Sequence, residues 1–180
     1  KKIKNEYQID SLLHTNGKFE FSQIEKIISL FNLNNKNVKS INGIVDLNTQ
    51  FKFNINNRFK IKNLSTSTEG IIKYLETEIH EKKILKRYIP NFNSKLIIKD
   101  TKIKLINTKV KQILNLKGFI KTKNNFNNFS IKEKYYYDKK RFEINGIVDL
   151  TNTEVSIPNL NFSKKSGKKS EINFDINFST

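Results

Sequence analysis

The chain has 180 residues, a net charge of +17 and a hydrophobic share of 36%, which suits one domain of ordinary size but not a thick central core. It holds no cysteine, so disulfides and cysteine metal sites are excluded. No apolar run of about 18 residues occurs, so no membrane-spanning helix and no signal peptide is expected. Lys, Asn and Ile dominate and Ala is absent, the mark of A/T-rich codons. The basic charge therefore has two explanations, codon bias on solvated positions or an anionic partner. The lysines are spread along the chain instead of forming one patch, which favours the first.

In chain order, the first signal is Ser22-Gln23-Ile24-Glu25, a capping box that predicts a helix over 23–31, with Ile24, Ile27, Ile28 and Phe31 on one side. Next comes the phrase INGIVDL at 41–47, which returns unchanged at 144–150. An identical strand-like phrase implies a structural repeat, and the long spacing suits a sheet extended by blocks of several strands. After it, Phe51, Phe53 and Ile55 alternate with polar residues, as do Phe59 and Ile61. Residues 70–79 read as strand. A second helix is predicted over 80–88, where Ile84, Leu85 and Tyr88 share a side and Pro90 forms a stop. Alternation resumes at Ile103 and Leu105, again at Phe142, Ile144, Gly146, Val148 and Leu150, and finally at Ile172, Phe174, Ile176 and Phe178.

A period of two puts apolar side chains on one face of a strand and Lys, Asn, Glu and Ser on the other. The expected fold is mainly β (α+β): an extended, twisted antiparallel sheet with one wet side, curled into a hydrophobic groove, with one or two short helices packed on it. No Pro/Gly-rich linker divides it, so residues 1–180 read as one continuous segment. The chain lacks an initial Met and stops within an alternating strand, as a piece of a larger protein would. The candidate groove lining is Phe51, Phe53, Ile103, Leu105, Phe142, Ile144, Phe174 and Ile176, each from an alternating run with a polar opposite face.

Catalytic chemistry is hard to assemble. His80-Glu81 lacks a second histidine four positions on, where Ile84 stands, and His14 is isolated, so no metal site is expected. Gly167-Lys168-Lys169-Ser170 lacks the earlier glycine of a phosphate loop, because Phe162 stands there. Asp46 and Asp149 recur in the repeated phrase, and the simple reading is a turn-forming Asp at a strand end. Neither an enzyme nor a cofactor is expected. Tyr135-Tyr136-Tyr137 amid Lys132, Lys134, Lys139, Lys140 and Arg141 offers an alternative, base stacking over a basic groove, although tyrosines straddling both faces of a strand explain it as well. A purely structural or adhesive sheet is a further alternative.

The stretch GIVDLTNTEVSIPNLNFSKKSGKKSEINFDI resembles a motif of the AsmA-like superfamily, in particular its YhdP-type members. Gly146, Asp149, Leu150, Thr151, Pro158, Leu160, Phe162, Lys165 and Gly167 match it in order. The family usually has Trp where Phe162 stands and a small residue where Thr153 stands. The resemblance covers about 35 residues closely. It implies a segment of a bridge-like lipid-transfer protein of the Gram-negative envelope, periplasmic and tied to the inner membrane through regions outside this segment. Such a protein conducts phospholipids toward the outer membrane along a β-groove and supports outer-membrane integrity. Acyl chains would be its partners, and no specific nucleic acid is expected.

Overall fold

The computed structural model describes residues 6–20, 38–79, 95–122, 125–157 and 161–179. Eight long strands make one open antiparallel sheet: β1 (Glu6–Phe19), β2 (Val38–Asn56), β3 (Ile61–Ile79), β4 (Lys95–Asn107), β5 (Lys111–Thr122), β6 (Asn125–Tyr136), β7 (Arg141–Asp149) and β10 (Glu171–Ser179). Their order across the sheet is β1-β2-β3-β4-β5-β6-β7-β10. A small hairpin, β8 (Val155–Ile157) with β9 (Phe162–Lys164), interrupts the path from β7 to β10. Among the described residues no helix occurs. The two predicted helices, 23–31 and 80–88, lie outside them.

Strands form where period-two patterning meets Ile, Phe, Thr and Val, whose branched or flat side chains suit a pleated surface. The predicted strand over 70–79 is the second half of β3. β1 carries the weakest pattern, EYQIDSLLHTNGKF, where Leu12 and Leu13 adjoin and Ser11 and Thr15 occupy core-side positions. The pattern alone assigns it nothing. It forms because β2 offers fourteen residues of unbroken register to pair with, from Glu6↔Asn56 to Phe19↔Gly43.

Register fixes the faces. One row runs Gly17, Val45, Ile72, Thr101 and, past a register shift, Gly118, Phe129, Val148, Ile172 from edge to edge. The next row on the same face runs Thr15, Leu47, Gly70, Ile103, Leu116, Ile131, Gly146, Phe174. Val45, Ile72, Ile98 and Phe129 are buried here, with Phe19, Leu47, Leu75, Ile103, Leu116, Ile120, Ile131 and Val148 half-buried against them. All twelve sit on this one face. Small residues let the strands close up: Thr101 is fully buried, and a Cβ on Gly118 would stand 2.5 Å from its Cα. Lys73 in β3 and Asp100 in β4 are extra residues relative to the outer neighbours. This shared bulge tolerates Asp100 at φ 45°.

The repeated phrase has a local reason. In both copies Ile, Gly, Val and Leu face the apolar side. Gly43 lies opposite Phe19 of β1 and Gly146 opposite Phe174 of β10. A Cβ would stand 2.6 Å from the Phe19 ring and 2.2 Å from the Phe174 ring. Among the described strands each copy lies next to the outermost one, and its glycine leaves room for the ring that the outer strand lays across it, covering exposed backbone. The two copies are not related by translation along the sheet. β2 and β7 are five places apart in an antiparallel sheet, so the copies run in opposite directions. A block added by translation would bring the phrase back parallel.

Asp149 does form a turn at a strand end: its Oδ1 accepts the Thr151 N–H at 2.8 Å. Asp46 does not. β2 runs on to Asn56, and Asp46 projects from mid-strand toward Lys73 and His14, 3.9 and 3.7 Å away. The following Asn48 and Thr49 bond across strands to His14 and Thr68.

Candidate functional site

All eight candidate lining residues fall on the apolar face. Ile103 and Phe174 lie in the row containing Leu47. One pleat further, Leu13, Thr49, Thr68, Leu105, Leu114, Glu133, Ile144 and Ile176 form a row. The row beyond it contains Phe51, Tyr135, Phe142 and Phe178, and Phe53 continues β2 past it. Alternation is what brings them together, since residues i, i+2 and i+4 share a face. Burial falls away from the buried cluster toward the edges: Leu13 is 52% exposed and Ile176 47%.

The opposite face is polar. Its rows carry, for example, His14, Asn48, Glu69, Lys104, Asn115, Lys132, Asn145 and Asp175. Ion pairs here include Lys95–Glu76 at 2.7 Å, Lys62–Glu6 at 2.8 Å and Lys134–Glu143 at 3.3 Å. The Lys95 hydrogen bond, then the Tyr74 hydroxyl, hold the Glu76 carboxyl below its usual range. These pairs are partly exposed, and each contributes little on its own.

The three tyrosines do not build one stacking platform. Tyr135 lies on the apolar face, its ring 4.2 Å from that of Phe142 in a stacked pair. Tyr136 is on the polar face, with the Arg141 guanidinium 5.0 Å from its ring centre. Tyr137 sits in the turn, and its hydroxyl donates to Asn107 Oδ1 at 2.8 Å.

Two features escaped the sequence reading. Lys164 is buried, and its Nζ donates to the carbonyls of Leu150 (2.9 Å), Lys168 (3.0 Å), Thr151 (3.3 Å) and Lys165 (3.3 Å). It ties the β8–β9 hairpin to the end of β7. Of the motif residues, Leu150 is buried, and Gly167 turns at φ 87° with its N–H donating to Thr151 O. Thr151, besides accepting that bond, donates its N–H to Asp149. Lys165 and Phe162 are exposed, while Pro158 and Leu160 lie outside the described residues. The adjacent Lys164, which the motif does not single out, holds the loop. The second feature is Glu133, a carboxylate in the apolar row. No sequence signal marks either, because one lysine in a lysine-rich stretch and one acid in a strand look like solvated residues.

Among the described residues no group of three or more His, Cys, Asp or Glu side chains is placed to hold a metal, and no helix is long and apolar enough to cross a membrane. No family model matches the chain, and no curated protein or solved structure matches it either.

Proposed function

We propose that this segment is a non-enzymatic lipid carrier whose apolar sheet face lodges phospholipid acyl chains. The observation that carries the reading is the continuity of that face. It crosses all eight strands, it holds all twelve residues of the core cluster, and no described helix covers it. A single-layer sheet with one greasy side needs something apolar against it. Curling of the sheet into a trough is the arrangement we propose for shielding that side while leaving it open to a chain.

Each buried methylene contributes about 0.8 kcal/mol, so even partial burial of an acyl chain holds a lipid. The phosphate stays at the wet margin, which avoids its desolvation. The neighbouring rows of Ile103 and Leu105 are lined mainly by aliphatic side chains, so a chain slides between them without a chemical step. The resemblance to AsmA-like proteins points the same way and supplies the setting, the periplasm of a Gram-negative bacterium with anchoring in the inner membrane. The splitting of the tyrosine cluster between two faces and a turn weighs against the nucleic-acid alternative.

Alternation provides the test. Leu105→Asp puts a carboxylate on the apolar face, beside the buried cluster and not within it. Lys104→Asp puts one on the polar face, one residue away. Both variants are expected to fold by circular dichroism, since the new acid reaches water in each case. Lipid recovered with the purified protein, measured by mass spectrometry, should fall several-fold for Leu105→Asp and stay unchanged for Lys104→Asp. Unfolding by Leu105→Asp alone would mean a closed core, and equal lipid recovery from both variants would contradict the carrier reading.

A further inference from the structure

Glu133 is a lone carboxylate within one row of the apolar face. It is directly opposite Leu114 on β5 and Ile144 on β7, with Ile131 and Tyr135 two residues away on its own strand. The diagonal neighbours on this face are Gln112, Leu116, Phe142 and Gly146, so Tyr135 is the only other titratable group facing it from β5, β6 or β7. Among the described residues Glu133 has no hydrogen-bond or ion-pair partner. A carboxylate taken partly out of water without compensation is unfavourable, and burial alone raises its carboxyl above the ordinary range. Nothing in the sheet requires an acid at this position, where every other strand offers Leu, Thr or Ile.

One pleat away the aromatic rings line up. Tyr135 stacks on Phe142 at 4.2 Å and Phe142 on Phe178 at 4.9 Å, while Tyr137 meets Tyr135 edge-on at 5.1 Å. Stacked on one another, these rings have their faces covered and wall the site with apolar surface, so an ammonium group is recognised there by the charge of the unpartnered carboxylate. Two residues along a strand span about 7 Å, within the reach of one headgroup.

We propose that Glu133, with Tyr135, Phe142 and Phe178, is a headgroup site for the ammonium of an amine-bearing amphiphile whose acyl chains lie on the same face. The proposal rests on the lipid-carrier reading and adds a headgroup preference to it. The ammonium supplies the partner that Glu133 lacks, and the acyl chains supply the affinity. The site thus favours zwitterionic amine phospholipids over anionic ones that carry no amine.

The test uses the whole chain with vesicles of phosphatidylethanolamine or phosphatidylglycerol of matched acyl chains, and a soluble arm with tetramethylammonium alone. The unmodified protein should take up phosphatidylethanolamine roughly five- to tenfold better than phosphatidylglycerol. Glu133→Gln should abolish the preference while keeping uptake of both, and tetramethylammonium alone should bind weakly. Tight binding of tetramethylammonium without a lipid would overturn the amphiphile as the ligand. Uptake of both lipids without preference, or a preference that survives Glu133→Gln, overturns the headgroup site and leaves the carrier reading standing. Uptake of neither lipid overturns both.

Folding of the variant is read independently. A carboxyl whose folded pKa is raised contributes its stability below the unfolded pKa and loses it as pH rises through the folded value. Glu133→Gln should therefore resist denaturant better than the unmodified chain at neutral pH, with the gap closing toward pH 4. A variant less stable at neutral pH would show that Glu133 has a structural partner, and would overturn the site.

Discussion

Gly70→Ala should destabilise the sheet by roughly 3–5 kcal/mol, at the far end of what single substitutions do. Gly70 lies at the middle of β3 between Leu47 and Ile103, at φ 153°. A Cβ there would stand 2.1 Å from the Asp46 carbonyl oxygen and 2.9 Å from the Leu47 Cα. Both are backbone atoms of the central pairing, so the clash is relieved only by parting β2 from β3. Gly17 provides the control. Its φ is 157°, but a Cβ there would meet nothing within 4 Å, so Gly17→Ala carries only the conformational cost, about 1–2 kcal/mol. Urea unfolding of the two variants separates the terms. Equal midpoints would show that the close approach of the strands is not what makes glycine necessary at position 70.

Lys164→Met should cost about 2–3 kcal/mol, because removal of the buried ammonium leaves the Lys165 and Lys168 carbonyls without this donor and the Leu150 and Thr151 carbonyls with only the Thr153 and Gly167 N–H groups. The loss should be local before it is global. The Asn127 amide donates to Thr153 Oγ1 at 2.8 Å and the Leu150 N–H to Ser170 O at 2.8 Å, so the corner after β7 keeps some anchorage to β6 and β10. Amide exchange is expected to quicken first over 150–170 and then along β10, while β2 to β5 remain protected. Uniform quickening across all strands would show that Lys164 does not act through the hairpin.

The sheet was legible because period two survives any composition. Phe51, Phe53, Ile103, Leu105, Phe142, Ile144, Phe174 and Ile176 were selected by alternation alone, and the register puts them on one face. The first strand was not legible, because its pattern is irregular and its order comes from pairing with β2, a long-range fact. The Asp46 turn was misread for a related reason. Asp followed by Asn and Thr is a good local turn signal, but a nineteen-residue strand with partners on both sides outweighs it. The repeated phrase announced a repeat without its direction, which depends on how many strands separate the copies. Glu133 and Lys164 stayed hidden, since what distinguishes them is the face or loop they occupy and not their residue type.

The central claim is that acyl chains lie on one face of this sheet and not the other. One row tests it directly. A photo-crosslinking residue is placed in turn at Leu13, Leu105, Ile144 and Ile176 on the apolar face, and at their neighbours Leu12, Lys104, Asn145 and Asp175 on the polar face, in the protein expressed in a Gram-negative periplasm. On irradiation the first four positions should yield phospholipid adducts and the second four almost none, so that yield alternates with residue number. Phospholipid adducts of equal yield from both faces, or none from any apolar-face position, would contradict the account.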